Sequence, residues 1–168
     1  MALANDYNSV MSRKGEIMKK SVGIDYESFE SGSIAFDYEK MMRETGYTLE
    51  EMQNIQRSVH VGNTPVIELR NITALARKCA KPGYGARIFI KDEASNPSGS
   101  FKARRAANSV YHAKRLGFKG VVTATSGNYG AAVASQAAMA GLKCIVVQEC
   151  YDSKGVGQPE IIEKARKC

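Results

Sequence analysis

Two textures of apolar spacing divide this sequence near residue 60. In residues 1–60 apolar positions are sparse among polar helix formers. Leu49, Met52 and Ile55 recur at spacings of three behind Thr48-Leu49-Glu50-Glu51, which has the form of a capping box, so a short helix ending near Arg57 is predicted. Gly46 separates it from a second predicted helix over 36–45, and 23–33 reads as a loop. This part reads as a helical extension packed on a core, and nothing in it points to chemistry.

From Thr64 the apolar runs become short and β-prone. Strands are predicted over 65–69 and 87–92, with a helix over 72–78 and a turn at 81–85 between them. Ala106, Val110, Ala113 and Leu116 then fall at spacings of four and three, which predicts a helix over 101–116 stopped by Gly117. A strand over 120–125, a tight loop over 126–130 and a small-residue helix over 131–140 follow. The run over 142–148 is nearly continuous in its apolar character and suits a strand covered on both faces. A last helix over 159–167 opens with Pro159 in its first turn. Strands alternating with helices predict an α/β fold with a parallel sheet, whose ligands gather at the carboxyl ends of the strands. The expected organisation is an extension over 1–60 and an α/β unit over 61–168 that is incomplete at its C-terminus, because a doubly wound domain rarely ends just after a helix.

Length and composition fit this picture: 168 residues, 43% hydrophobic and 24% charged, is an ordinary globular balance for about one domain. No apolar run is long enough to span a membrane. The first residues lack a basic stretch followed by an apolar one, so no leader is expected and the cytosol is the expected location. The net charge of +7 is uneven, −3 over 1–60 and +10 over 61–168. The basic residues of the second part stand singly among apolar periods rather than in a block, so a small anionic ligand is favoured over nucleic acid. Cys79, Cys144, Cys150 and Cys168 form no C-x-x-C pair, and with only His60 and His112 no metal site is expected. Free thiols are expected.

Two loops carry candidate chemistry. In Ser95-Asn96-Pro97-Ser98-Gly99-Ser100-Phe101-Lys102 the lysine stands at the first turn of a helix. There it faces the partial positive charge of the helix end, which disfavours the ammonium form and suits a nucleophilic, Schiff-base-forming amine. The alternative is a solvated surface lysine. In Thr125-Ser126-Gly127-Asn128-Tyr129-Gly130 the backbone amides and the Thr, Ser and Asn side chains can surround a carboxylate or phosphate at a helix N-terminus, or form a plain β-α turn. The P-loop, the dinucleotide fingerprint and the G-x-S-x-G nucleophile motif are absent. Asp92-Glu93 and Glu50-Glu51 are adjacent carboxylates, which point apart on regular elements.

Taken together, Asn96-Pro97-Ser98-Gly99-Ser100-Phe101-Lys102 and Thr125-Ser126-Gly127-Asn128-Tyr129-Gly130, preceded by Gly62-Asn63-Thr64-Pro65 and Ile88-Phe89-Ile90-Lys91-Asp92-Glu93, resemble the fold-type II pyridoxal-phosphate enzymes, a family that includes threonine synthases. The resemblance implies the three-layer parallel sheet of the tryptophan synthase β-like class and pyridoxal 5′-phosphate as cofactor. It implies Lys102 as the Schiff-base lysine, Asn128 as partner of the pyridine 3′ oxygen, and Thr125, Ser126, Gly127 and Tyr129 around the substrate carboxylate. Ala103 departs from the Asp that threonine-synthase-like members often carry at that position.

The extension with 36–42, and the stretches 68–75 and 147–152, are further similar to a subgroup that uses coenzyme A. That narrower likeness implies cleavage of an amino-acid substrate, 2-amino-4-oxopentanoate, to acetyl-CoA and alanine. It also implies a second, smaller subunit and a homo-oligomer, with no nucleic acid or membrane partner. A threonine synthase or other lyase, or a non-catalytic anion-binding module, are the alternatives. The family's phosphate-binding glycine loop and pyridine-nitrogen partner come after the matched stretch, so residues 1–168 by themselves are expected to be inactive.

Overall fold

The computed structural model describes residues 6–166 and 168. Residues 1–5, from which a leader was argued against, and Lys167, the last position of the expected final helix, lie outside the described residues. The chain forms two compact units that divide between Met52 and Gln53.

The first unit holds helices α1 (Tyr7–Met11) and α2 (Lys14–Val22), a 3-10 turn (Tyr26–Phe29), the hairpin strands β1 (Glu30–Ser31) and β2 (Ala35–Phe36), and helix α3 (Tyr38–Glu44). Asp6 and Asp37 cap α1 and α3 by accepting from the backbone amides of Ser9 and Lys40. Phe29, 1% exposed, is the small core, and Tyr26, Phe36 and Tyr38 form a chain of tilted ring contacts beside it. Helix α4 (Leu49–Ser58) begins at the predicted capping box. The Glu51 amide donates to Thr48 Oγ1 at 3.1 Å, and the Thr48 amide donates to Glu51 Oε2 at 2.7 Å.

In the second unit β3 (Val66–Glu68), helix α5 (Arg70–Cys79) and β4 (Phe89–Lys91) come first, then a 3-10 turn (Glu93–Ser95). Helix α6 (Lys102–Arg115), β5 (Gly120–Thr125), helix α7 (Asn128–Ala140), β6 (Lys143–Gln148) and helix α8 (Pro159–Ala165) complete it. β5 and β6 pair in parallel from Gly120↔Lys143 to Thr125↔Gln148, connected through α7. β4 does not join them. It pairs antiparallel with β3, Ile67 opposite Ile90, and the pairing is held at its ends by the Leu69 amide on Ile88 O, the Asp92 amide on Pro65 O and a bidentate Arg87–Glu68 ion pair. A three-residue strand with a ready partner thus takes a separate sheet, and the fold is α/β with one parallel pair among the described residues.

The core sits between α6, α7 and one face of the parallel pair. Ala106, Val110, Ala132 and Val133 are buried, with Val121, Tyr129, Leu142 and Cys144 packed on them. Alanines let the two helices approach closely, and Lys114 Nζ on Ala140 O ties the end of one to the end of the other. The strands alternate strictly: Val121, Thr123, Cys144 and Val146 are half-buried, while Val122, Ile145 and Val147 are exposed. The coverage of β6 on both faces that its composition predicts is therefore met on one face among the described residues. All four cysteines are free, and burial, with Cys168 adding to it, pushes the Cys144 thiol up.

Replacing Thr48 by Ala removes one acceptor of the box. The expected cost is about 1 kcal/mol of α4 stability. It is read as faster amide exchange at Glu51, with exchange in α6 unchanged.

Candidate functional site

Small residues build both loops of the site. After the 3-10 turn, Asn96 O accepts from the Gly99 amide at 2.7 Å, and Gly99 takes φ +73, a left-handed conformation that glycine enters without a Cβ clash. The chain then enters α6 with Lys102 as its first residue and Phe101, which offers no side-chain cap, before it. The lysine is half-buried, and its ammonium lies 4.7 Å from the centroid of the exposed Phe101 ring. Such a contact offers a cation about 0.5–1 kcal/mol at a wet site. Ser98 and Ser100 on the approach each carry a buried hydroxyl with no partner among the described residues.

The second loop is shorter than its sequence suggests. Thr125 ends β5, its hydroxyl accepts from the Gly127 amide at 3.0 Å, and α7 starts at Asn128. Asn128, Tyr129 and Gly130, read as loop, are helical, because Gly130 lets the first turn of α7 lie directly on the strands: a Cβ there would stand 2.4 Å from Thr125 Cγ2 and 2.8 Å from Val146 Cγ1. Gly127 has no side-chain cap to offer and the first turn holds no acidic residue, so the amides at the start of this 13-residue helix are left for another acceptor. Ser126 and Asn128 are exposed, whereas Tyr129 is half-buried with the Arg105 guanidinium 4.8 Å above its ring.

Lys102 and Thr125, Ser126, Gly127, Asn128 and Tyr129 line one cleft of about 670 Å³. The structure thus brings together all six residues singled out in the sequence. Ala124, Val147 and Glu149 line it as well and were missed. The signal for them was the rule that ligands gather at the carboxyl ends of parallel strands, since all three stand at the ends of β5 and β6.

Behind the lysine lies a polar cluster that sequence reasoning also missed. The Glu93 carboxylate accepts from Arg104 Nε at 2.7 Å and from Arg104 Nη2 at 2.8 Å. It also accepts from Thr64 Oγ1 at 2.7 Å and Asn96 Nδ2 at 3.0 Å. Asn96, 4% exposed, in turn accepts from the Gly62 amide. The Arg104 guanidinium first, then the hydrogen bonds of Thr64 and Asn96, hold the Glu93 carboxyl down from the ordinary 4.5 to about 2 against the opposing effect of burial. Asp92 turns the other way and accepts from the Ala94 amide and Ser95 Oγ, so the adjacent carboxylates do point apart.

A primary amine at one helix start, facing an uncapped helix start across a cleft at strand ends, can capture a carbonyl compound and hold an anionic group beside it. The chain belongs to the pyridoxal-phosphate dependent enzyme family, which it matches over residues 57–167. It is similar to the 2-amino-4-ketopentanoate thiolase beta subunit of Acetoanaerobium sticklandii, at 83% identity over 96% of this chain and 34% of that protein. A second 2-amino-4-ketopentanoate thiolase beta subunit, from an unknown prokaryotic organism, is 64% identical over all of this chain and 36% of its own length. A threonine synthase of Halalkalibacterium halodurans is 41% identical over 51% of this chain and 22% of that protein. The chain spans about a third of the length of the thiolase subunits it matches.

Two outcomes check this geometry. Gly130→Ala is expected to cost about 1–3 kcal/mol in denaturant unfolding, because backbone and strand side chains must move. Gly127→Ala, whose Cβ would meet open space, is expected to stay within about 0.5 kcal/mol. On acidification, the depressed Glu93 contributes stability that is complete above 4.5 and lost as pH falls towards 2. Unfolding midpoints across that window are expected to fall less steeply in Glu93→Gln.

Proposed function

We propose that this chain is the part of a pyridoxal-phosphate dependent thiolase subunit that carries the cofactor lysine, and that the subunit cleaves 2-amino-4-oxopentanoate with coenzyme A to acetyl-CoA and alanine. The observation that carries the reading is the single cleft shared by Lys102 and the 125–129 turn. The identity to thiolase beta subunits along nearly the whole chain supports the substrate.

The donors suit the cofactor. Lys102 matches its aldehyde and the Asn128 side-chain amide can donate to its ring oxygen. Ser98 and Ser100, whose hydroxyls have no partner among the described residues, stand outside the cleft lining on the loop that leads into Lys102. Bound pyridoxal phosphate supplies the electron sink for negative charge that develops beside the amine-bearing carbon. The amides at the start of α7, with the Ser126 side chain, orient the substrate carboxylate. Thr125 braces that turn through its own hydroxyl, and Tyr129 fixes it to α6 through Arg105. The Lys102 amine, the one amine in the cleft lining, is the group there to take and return the substrate α proton. In the overall reaction the coenzyme A sulfur bonds to the C4 carbonyl carbon and the C3–C4 bond breaks. C3 gains a proton and becomes the methyl of alanine.

On this reading β5 and β6 belong to a three-layer parallel sheet of the fold-type II class, within an α/β unit over 61–168 that follows the extension over 1–60. The word "beta" in the relatives' names supports a second subunit, and a homo-oligomer in the cytosol is part of the same proposal. No described helix is long and apolar enough to cross a membrane.

The test compares full-length subunit, with its partner, on two substrates. 2-Amino-4-oxopentanoate plus coenzyme A is expected to yield acetyl-CoA and alanine, and Lys102→Ala to abolish it. Turnover of O-phosphohomoserine instead would assign a threonine synthase.

A further inference from the structure

Phe101 gives α6 no side-chain cap, yet the site needs Lys102 to face the cleft. What sets the rotation of that first turn lies on its other side. On an α-helix, residues two apart are separated by roughly 200° of rotation, so Arg104 leaves α6 almost opposite to Lys102. Its guanidinium makes the two-pronged pair with Glu93, and this pair closes a ring of chain that runs from the 3-10 turn through Gly99 to the first turn of α6. Lys102 stands inside that ring.

The ring is itself anchored. Thr64 Oγ1 donates to the same carboxylate, and the Gly62 amide donates to Asn96 Oδ1. The Arg104 carbonyl accepts from Gln56 Nε2 at 3.3 Å. The anchoring segment is held in an unusual backbone: His60, Gly62 and Asn63 take φ of 57°, 94° and 50°. For His60 the left-handed conformation is unfavourable, more so than for Asn63, and it persists because the surrounding contacts over-determine it. A Cβ on Gly62 would come 3.3 Å from Arg104 Nη1, so the segment lies directly against the guanidinium. Arg105, the next residue, lies over Tyr129 and fixes α6 against α7. Glu93, Arg104, Thr64 and Asn96 are all outside the cleft lining.

We propose that Glu93, acting through Arg104, is a positioning residue for Lys102: the pair sets the rotation of the first turn of α6 and so aims the amine into the cleft. The proposal rests on the reading of Lys102 as the cofactor's covalent anchor. Both prongs matter, because Arg presents two parallel donors in a fixed plane that a Lys cannot. Loss of one prong lets the turn rotate while α6, whose alanines stay buried against α7, remains folded.

The experiment uses the full-length subunit with its partner, stripped of cofactor and then given pyridoxal phosphate. The readouts are the rate at which the visible band of lysine-bound cofactor grows, and the share of bound cofactor fixed on Lys102 by borohydride. Wild type is expected to label Lys102. Glu93→Gln is expected to slow the band about tenfold or more and to lower the labelled share per bound cofactor, at temperatures where circular dichroism reports a folded protein. Arg104→Lys, which keeps the charge and loses the fork, is expected to move both readouts in the same direction and serves if Glu93→Gln does not fold. A purely structural role would lower the melting temperature and leave rate and labelled share unchanged, which would overturn the proposal alone. Wild-type label away from Lys102 would overturn both the proposal and the reading beneath it.

Discussion

The close approach of α6 to α7 is the constraint on which the site depends. Ala106 and Ala132 are fully buried between the helices, and larger side chains there would push them apart. Because the first residue of each helix lines the same cleft, a separation of the helices would separate Lys102 from Asn128. Gly130 extends the same logic to the sheet, since only a residue without Cβ lets the start of α7 rest on Thr125 and Val146. The spacing of the two helix starts is thus a consequence of small side chains in the core.

The electrostatics follow from that packing. Two helix starts face one cleft, so the local field favours negative charge, and the one primary amine among the lining residues sits where its charge gains nothing from either dipole. Its ammonium lies over the Phe101 ring, and the Glu149 carboxylate lines the same cleft. Arg104 and Arg105, which could have added competing positive charge, are each engaged elsewhere, one by Glu93 and one by the face of Tyr129. A primary amine held at the cleft beside two helix starts suits the covalent capture of a carbonyl group on the proposed reading.

Much of this was legible in the sequence where a signal was local. The capping box at Thr48, the strand over 120–125 and the helix expected over 101–116, found at Lys102–Arg115, come from residues close in the chain. The start of α7 was misplaced because Asn128, Tyr129 and Gly130 look like turn formers in isolation, while tertiary contact with the strands makes them helical. The pairing of β4 with β3 escaped because strand partners are set by non-local geometry, not by the composition of three residues. Glu93 escaped for a related reason. Beside Asp92 it reads only as one of two adjacent carboxylates that point apart, and only the folded turn brings Arg104 to it across eleven positions.

The account stands on Lys102 as the group that holds the cofactor. The direct measurement is mass mapping of the full-length subunit after borohydride reduction in the presence of pyridoxal phosphate. A single stoichiometric adduct on Lys102 is the predicted result. An adduct on another lysine, with Lys102 unmodified, would contradict it.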